Sequence, residues 1–359
     1  MNKILTIVVP TYNMEKYLHK CLDSLIVSKE NMECLEVLVV NDGSKDSSSQ
    51  IAHEYETRYP QTFKVIDKEN GNYGSCINRG LKEATGKYIK VLDADDNFDN
   101  KLFDLYIVFL KNTDVDLVIS DYCVIDSQGD TMGTYTFPLP MDRSFSLAEM
   151  PVATIHWLWH QGIAYKTDLL REMNYQQLEG FSYTDEEWLF KPIIKVNTIS
   201  YFPHILYLYL RGREGQTFDP KILKKEFDKR IVVLHSMIDF YQQYYERCSI
   251  SVKRYLTEKL LARLIPIYNF YLIKNHTRDG NAILMEFDYY LKESCKNLWD
   301  LLNGVHSRWD LYYIQNWRKS GYSFYDISHL IMYIKFKIQC MIGLDRKDFL
   351  MPRKYKREI

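Results

Sequence analysis

Three times in its first ninety residues the chain runs through one pattern: a short branched apolar run, a polar loop, then a helix. Leu5-Thr6-Ile7-Val8-Val9 stops at Pro10-Thr11-Tyr12-Asn13, and Tyr17, Leu18, Cys21, Leu22 and Leu25 then recur at helical spacing. Leu35 to Val40 breaks into Asn41-Asp42-Gly43-Ser44-Lys45-Asp46 ahead of a helix running toward Tyr59. Phe63 to Ile66 precedes Glu69-Asn70-Gly71-Asn72-Tyr73-Gly74 and a helix from Ser75 to Ala84. Strands and helices alternating at this interval call for right-handed crossovers, which give a parallel sheet with its loops gathered at one edge. The expected class is α/β, a Rossmann-like, mostly parallel central sheet flanked by helices.

A fourth apolar run, Lys87 to Leu92, ends abruptly in Asp93-Ala94-Asp95-Asp96. Carboxylates crowded at the carboxyl end of a buried strand repel one another unless a cation joins them. A hard divalent ion with oxygen ligands, which also holds nucleotide phosphates, meets that need; a solvated acidic turn capping the next helix is the alternative.

Taken with Ile7-Val8-Val9-Pro10-Thr11-Tyr12-Asn13, Val39-Val40-Asn41-Asp42-Gly43-Ser44-Lys45-Asp46, Asn70-Gly71 with Gly74 and Asn78, and Ala84-Thr85-Gly86-Lys87-Tyr88-Ile89, this stretch resembles the family 2 glycosyltransferases of the non-processive bacterial type, with their GT-A fold. Order and spacing agree strongly over the first hundred residues and more faintly to about Asp219. The resemblance implies a nucleotide pocket lined by Pro10, Thr11, Tyr12 and Asn13, with Asp42 accepting a hydrogen bond from a uracil ring or an equivalent base edge. It also implies donor contacts from Asn70, Gly71, Gly74, Asn78 and Ala94. Asp93 would lie near ribose or metal, and Asp95 would ligate the Mn2+ or Mg2+ that bridges the donor diphosphate. Cys76-Ile77-Asn78 stands where many members have Ala-Arg-Asn.

Further along, Ile163-Ala164-Tyr165 reads as a strand and Thr167 as the cap of a short helix. Thr184 and Glu187 have the spacing of a capping box, which would put Asp185 in a first helical turn where the helix dipole favours its ionised form. Asp185 and Glu186 fit ordinary first-turn acids; the resemblance makes one of them, Asp185 first, the catalytic base. Ile199 to Leu210 alternates as a strand and delivers Arg211-Gly212-Arg213, whose guanidinium groups suit a diphosphate. His156 and His160 stand four apart, one helix face if the helix continues, but no Glu follows His156 as in a zinc H-E-x-x-H site. Trp157, Trp159 and His160 are expected to floor an acceptor pocket or simply to pack.

From Asp219 the periodicity is helical. Val252, Tyr255, Leu256, Leu260, Leu264, Ile267 and Tyr271 mark one face; Ile327, Leu330, Ile331, Ile334 and Ile338 mark another; Pro266 is expected to kink or divide the first helix. Two domains follow: residues 1–218, catalytic, and residues 219–359, helical, for acceptor, membrane-surface or homo-oligomer contacts. Tyr241, Tyr244, Tyr245, Tyr268, Tyr271, Tyr289, Tyr290, Tyr312 and Tyr313 of this part suit sugar stacking, a core or a subunit interface. Arg346, Lys347, Arg353, Lys354, Lys356 and Arg357 flank Phe349-Leu350-Met351, a pattern that suits anionic lipid or a solvated terminus.

A formal net charge of -1 gives no pull toward nucleic acid. Apolar runs fall short of a membrane span, and the run after Met1 stops at Pro10 without a small-residue cleavage site. Seven cysteines without a C-x-x-C pair read as reduced, so the expected residence is cytoplasmic, with room for peripheral contact at the inner membrane face. The expected activity is metal-dependent inverting transfer from a nucleotide diphosphate sugar, a UDP-sugar first, to a glycan or lipid-linked hydroxyl. A sugar-phosphate nucleotidyltransferase would carry a Gly-rich basic loop after the first strand, where this chain has Pro10-Thr11-Tyr12-Asn13. A silent carbohydrate-binding scaffold would not need Asp42, Asp95 and Asp185 together. NAD chemistry lacks its G-x-G-x-x-G fingerprint.

Overall fold

The computed structural model describes residues 2–213, 216, 227–306 and 311–341. They divide into two compact units, Met1–Val233 and Leu234–Ile359. The domain boundary expected between residues 218 and 219 lies outside the described residues, as do the basic residues Arg346 to Arg357.

The first unit is built on one mixed sheet of nine described strands: β1 Leu5–Thr11, β2 Leu35–Asn41, β3 Phe63–Asp67, β4 Tyr88–Val91, β5 Asn97–Phe98, β6 Leu117–Ile125, β7 Thr131–Tyr135, β8 Ile163–Lys166 and β9 Ile199–Leu210. Its spatial order is β3-β2-β1-β4-β8-β6-β9-β5, with β7 beside β6. The four strands read from the repeating pattern are mutually parallel, as expected; β8, β5 and β7 run antiparallel to their neighbours, while β6 and β9 pair parallel. Continuous apolar runs suit these central strands because helices cover both faces of a parallel sheet. Their helices are α1 Leu18–Asp23, α2 Lys29–Cys34, α3 Ser48–Arg58, α4 Asn72–Glu83, α5 Asn100–Lys111, α6 Val152–Trp157, α7 Thr167–Glu172 and α8 Asp185–Phe190. Gly80 lets α4 lie against β1, since a Cβ there would meet Val8 Cγ1 at 2.5 Å.

Register places the loops. Thr11 pairs with Asn41, Asn41 with Asp67, and Val8 with Val91, so β1, β2, β3 and β4 end side by side. Each chain then turns into its polar loop at the same sheet edge, which is where open α/β sheets bind ligands.

The second unit is helical, with helices Ile250–Asn269, Arg278–Ser294, Lys296–Leu302, Tyr313–Lys319 and Ile327–Met341. Pro266 lies inside a helix that continues to Asn269 and passes into a π turn at Phe270–Lys274, so the proline does not end the helix. At the centre of this unit Arg318 lies against Asp288, Nη2 to Oδ1 2.5 Å, with side chains 5% and 0% exposed. Trp299 Nε1 and the hydroxyls of Tyr268 and Tyr322 also donate to Asp288. Deleting one member of a buried, hydrogen-bonded pair strands the other charge. Asp288→Ala is therefore expected to cost about 3–5 kcal/mol, read as an earlier urea transition of Trp299 and Trp317 fluorescence. An unchanged midpoint would show that the pair does not hold this unit.

Candidate active site

At the shared sheet edge the loop after β2 presents Asp42, which is buried. Its Oδ1 accepts from Lys68 Nζ at 2.5 Å and from the Gly71 backbone N–H at 2.9 Å, while Asn70 Nδ2 donates to its carbonyl. The loops after β2 and β3 are thereby locked together through the residues singled out in both. Asn13, in the left-handed region at φ 55°, does the same for the loops after β1 and β2: its N–H donates to Ser44 Oγ and its Oδ1 accepts from the Lys45 N–H. Thr11 is buried and Tyr12 beside it is 46% exposed. Cys76, where an alanine is usual, is a buried thiol held up to about 12 by burial and by the charge of Asp42.

Gly74 and Asn78 have a bracing position. A Cβ at residue 74 would fall 2.0 Å from the Leu178 carbonyl oxygen. Asn78 donates to the Gln177 carbonyl and to Glu179, and accepts from the Gln177 N–H. Both fasten α4 to the segment that leads into α8.

The acidic loop after β4 splits into three environments. Asp96 is buried, takes hydrogen bonds from Tyr207 Oη and the Leu210 N–H, and is pushed well above the usual carboxylate range by burial and by Asp95 and Asp93. It ties this loop to the end of β9 and so brings Arg213 over it. Arg213 Nε lies 2.5 Å from Asp95 Oδ2, and its guanidinium stands over the Tyr17 ring. Burial raises the Asp95 carboxyl and Arg213 opposes that rise. Asp93 accepts from Tyr73 Oη at 3.0 Å and faces His160 Nε2 at 3.1 Å, while Ala94 between the two acids is buried.

Among the described residues no three metal-ligating side chains converge. A hard divalent ion bound with a nucleotide needs only one or two carboxylates, the phosphate oxygens supplying the rest. Asp95 fits that demand, since a partly exposed carboxylate already compensated by one cation, the Arg213 guanidinium, is suited to exchange it for another. Arg211 is exposed on the same loop, its backbone N–H bonded to Ile125.

Asp185 opens α8, as expected, but the capping box does not form. Thr184 Oγ1 accepts from Gln177, and Glu187, fully buried, accepts from the Leu178 N–H and pairs with Lys191 at 2.6 Å. Tyr183, just before, holds a left-handed φ of 67°. Glu186 follows on the same turn. Asp185 Oδ2 lies 3.5 Å from His160 Nδ1.

His156 and His160 do not share a helix face, because α6 ends at Trp157 and His160 opens a separate tight turn. Trp157 and Trp159 join an aromatic cluster with Tyr122 and Tyr135. Thr167 lies within α7 and donates its hydroxyl to the Gly86 carbonyl. His160 is buried; burial alone would lower its pKa, but Asp93 and Asp185 override that and hold it up to about 10. Sequence reasoning missed Lys68, Tyr73, Tyr207 and Lys90. Lys90 is buried on β4, donates to the carbonyls of Gln161 and Ile163, and is lowered to about 7 by burial. Only the lysine inside an otherwise apolar strand gave any signal.

One sheet edge of this α/β unit thus carries Asp42, the acidic turn and the arginine loop. Residues 6–173, just under half of the chain, match the family described as glycosyl transferase family 2. An uncharacterised glycosyltransferase of Mycoplasma pneumoniae is 38% identical over 125 residues, 34% of this chain and 40% of that protein, so the alignment spans well under half of the relative's length. The uncharacterised glycosyltransferase EpsJ of Bacillus subtilis is 26% identical over 253 residues, 68% of this chain and 71% of its own. Among solved structures, S. aureus TarS 1-349 has the same fold at a TM-score of 0.66, with 19% identity, over 95% of this chain and 92% of that one. A second crystal structure of that protein is of its complex with UDP-GlcNAc. Among the described residues no helix is long and apolar enough to cross a membrane.

Proposed function

We propose that this chain is an inverting glycosyltransferase that moves a sugar from a UDP-sugar to a hydroxyl of a glycan or lipid-linked acceptor. The observation that carries the reading is the convergence, at one sheet edge, of Asp42, Asp93 and Asp95 with Asp185, the last joined to Asp93 through a single buried histidine. Asp42, fixed by Lys68 and Gly71, accepts from the uracil N–H while Tyr12 covers the ring. Arg211 and Arg213 meet the diphosphate. Asp185 takes the proton from the acceptor hydroxyl as that oxygen attacks the anomeric carbon opposite the leaving diphosphate. Mn2+ or Mg2+, held by Asp95 with Asp93 close by, would supply compensation for charge that develops on the leaving diphosphate.

The test is a panel of nucleotide sugars incubated with Mn2+ and scored for slow donor hydrolysis. Release of UDP from one UDP-sugar supports the reading, and NMR of the released sugar reports inversion. Pyrophosphate formed from UTP and a sugar phosphate would make the protein a nucleotidyltransferase instead; no turnover of any donor would leave a binding scaffold.

The uracil contact has its own consequence. Asp42→Asn keeps the shape but removes both the acceptor for the ring and the charge opposite Lys68, so UDP affinity is expected to weaken by about 1–3 kcal/mol in calorimetry. Unchanged affinity would take the base off Asp42.

A peripheral membrane contact suits a lipid-linked acceptor and a cytoplasmic enzyme at the inner face. Its support is the helix Ile327–Met341, which exposes Ile327 at 72% and Ile334 at 56%, with Ile331 and Ile338 on the same stripe. The helix carries Lys335 and Lys337 and no acidic residue, the composition of an interfacial helix. The protein is expected to sediment with vesicles of anionic lipid, less so as salt rises, and Ile334→Glu with Ile338→Glu should abolish this. A homodimer that the same pair of substitutions dissolves, without vesicle binding, would replace lipid by a second copy.

A further inference from the structure

His160 links Asp93 to Asp185, and the turn that carries it is itself held by neighbouring strands. It begins the turn His160–Gly162, whose second carbonyl, that of Gln161, accepts from the buried Lys90 ammonium at 2.6 Å, as does the Ile163 carbonyl at 3.1 Å. Gly162 is pressed against β6, where a Cβ would meet the Ser120 carbonyl oxygen at 2.9 Å. Tyr207, itself bonded to Asp96, presents its ring edge-on to the imidazole at 6.5 Å between centroids. The turn is thus held from β4 and β6, and the ring is flanked from β9. Its two nitrogens then face two carboxylates of different loops: Nε2 meets Asp93 Oδ2 at 3.1 Å, and Nδ1 meets Asp185 Oδ2 at 3.5 Å.

We propose that His160 is a positioning residue for sugar transfer, clamping the Asp185 carboxylate in register with the donor-side Asp93. The proposal rests on the reading of Asp185 as base. The imidazole already faces a carboxylate at each of its nitrogens. What it supplies is orientation. Asp185 sits at the start of a helix of only six residues, preceded by a left-handed Tyr183, and a carboxylate there has rotamers to choose from. One carboxylate oxygen held by a rigid donor selects among them. Misplacing a reacting group by about 1 Å costs on the order of 100-fold in rate. Asp93 at the other nitrogen makes the same ring sense the donor loop.

The experiment is a double-mutant cycle on the full chain, with UDP release from UDP-GlcNAc, or from whichever UDP-sugar the wild type hydrolyses fastest, as the readout. His160→Gln keeps one amide donor but cannot bridge two carboxylates. It is expected to lower kcat by about 10- to 100-fold while donor KM and calorimetric UDP affinity change less than about threefold. In the Asp185→Asn background the same substitution should add nothing further, since its action passes through Asp185. Equal fold-losses in both backgrounds would make His160 merely structural and overturn the proposal, as would a change confined to KM. If Asp185→Asn alone keeps the native rate, the base has been misassigned and the proposal falls with it; if Asp185→Asn is inactive but the His160 loss is independent, only the proposal fails. Should His160→Gln not fold, as judged by its thermal midpoint, His160→Asn carries the same cycle with a smaller side chain.

Discussion

Asp185→Asn is expected to bind UDP and its donor normally and to lose roughly two to four orders of magnitude in transfer rate. An inverting displacement needs one proton acceptor on the acceptor side, and the asparagine preserves shape and hydrogen bonding while removing that basicity. Two acids stand in line for the role. Asp185 opens α8 and faces His160; Glu186, one residue on, projects about 100° further around the helix. Glu187, the third, is excluded, because burial against Lys191 and the Leu178 N–H commits it to holding the segment before α8 in place. Steady-state UDP release from Asp185→Asn and Glu186→Gln, with donor affinity measured separately, decides between the first two. A near-native Asp185→Asn beside an inactive Glu186→Gln would move the base by one residue.

Most of the sheet and its active edge could be read from the sequence because both depend on local pattern. The branched apolar runs read as central strands, and strands of a parallel sheet deliver their loops to one side; hence Asn13, Asp42, Asn70, Gly71 and the acidic turn fall on one sheet edge. What stayed hidden depends on contacts distant in sequence. Lys68 is ordinary until the register of β2 and β3 sets it against Asp42. The spacing of Thr184 and Glu187 matches a capping box, but each side chain finds a stronger partner elsewhere, Gln177 for one and Lys191 with the Leu178 N–H for the other. His156 and His160 have zinc spacing only if the helix persists, and it stops at Trp157. Gly74 and Asn78, expected at the donor, brace α4 against residues 177–179, a contact spanning about a hundred residues that no local pattern announces. His160 was noticed for its neighbours Trp157 and Trp159 and not for the two carboxylates it bridges.

The second large effect is expected at Asp95, and its sign separates two uses of the arginine beside it. With Asp95 intact, its carboxylate and the Arg213 guanidinium neutralise each other; Asp95 would hold a divalent ion that supplies charge compensation to the diphosphate, which would leave Arg213 available to the phosphates. Asp95→Ala removes that carboxylate. Donor hydrolysis in Mn2+ should fall by about 100-fold or more, which is what the loss of ~3 kcal/mol of charge compensation amounts to, and the Mn2+-dependent part of UDP affinity should vanish. Affinity measured in EDTA should change little, since that state never used the ligand. Arg213→Ala then discriminates. If Arg213 only fills the cation position, removing it leaves Asp95 more open and strengthens Mn2+ binding to the free protein with UDP affinity in Mn2+ intact. If Arg213 also clamps the diphosphate, the same substitution weakens UDP binding in Mn2+, and the two variants combined lose less than the sum of their separate costs, because both act on one leaving group. Full Mn2+ stimulation of donor hydrolysis by Asp95→Ala would remove this carboxylate from the cation site and return the acidic turn to a structural part, as Asp96 already has.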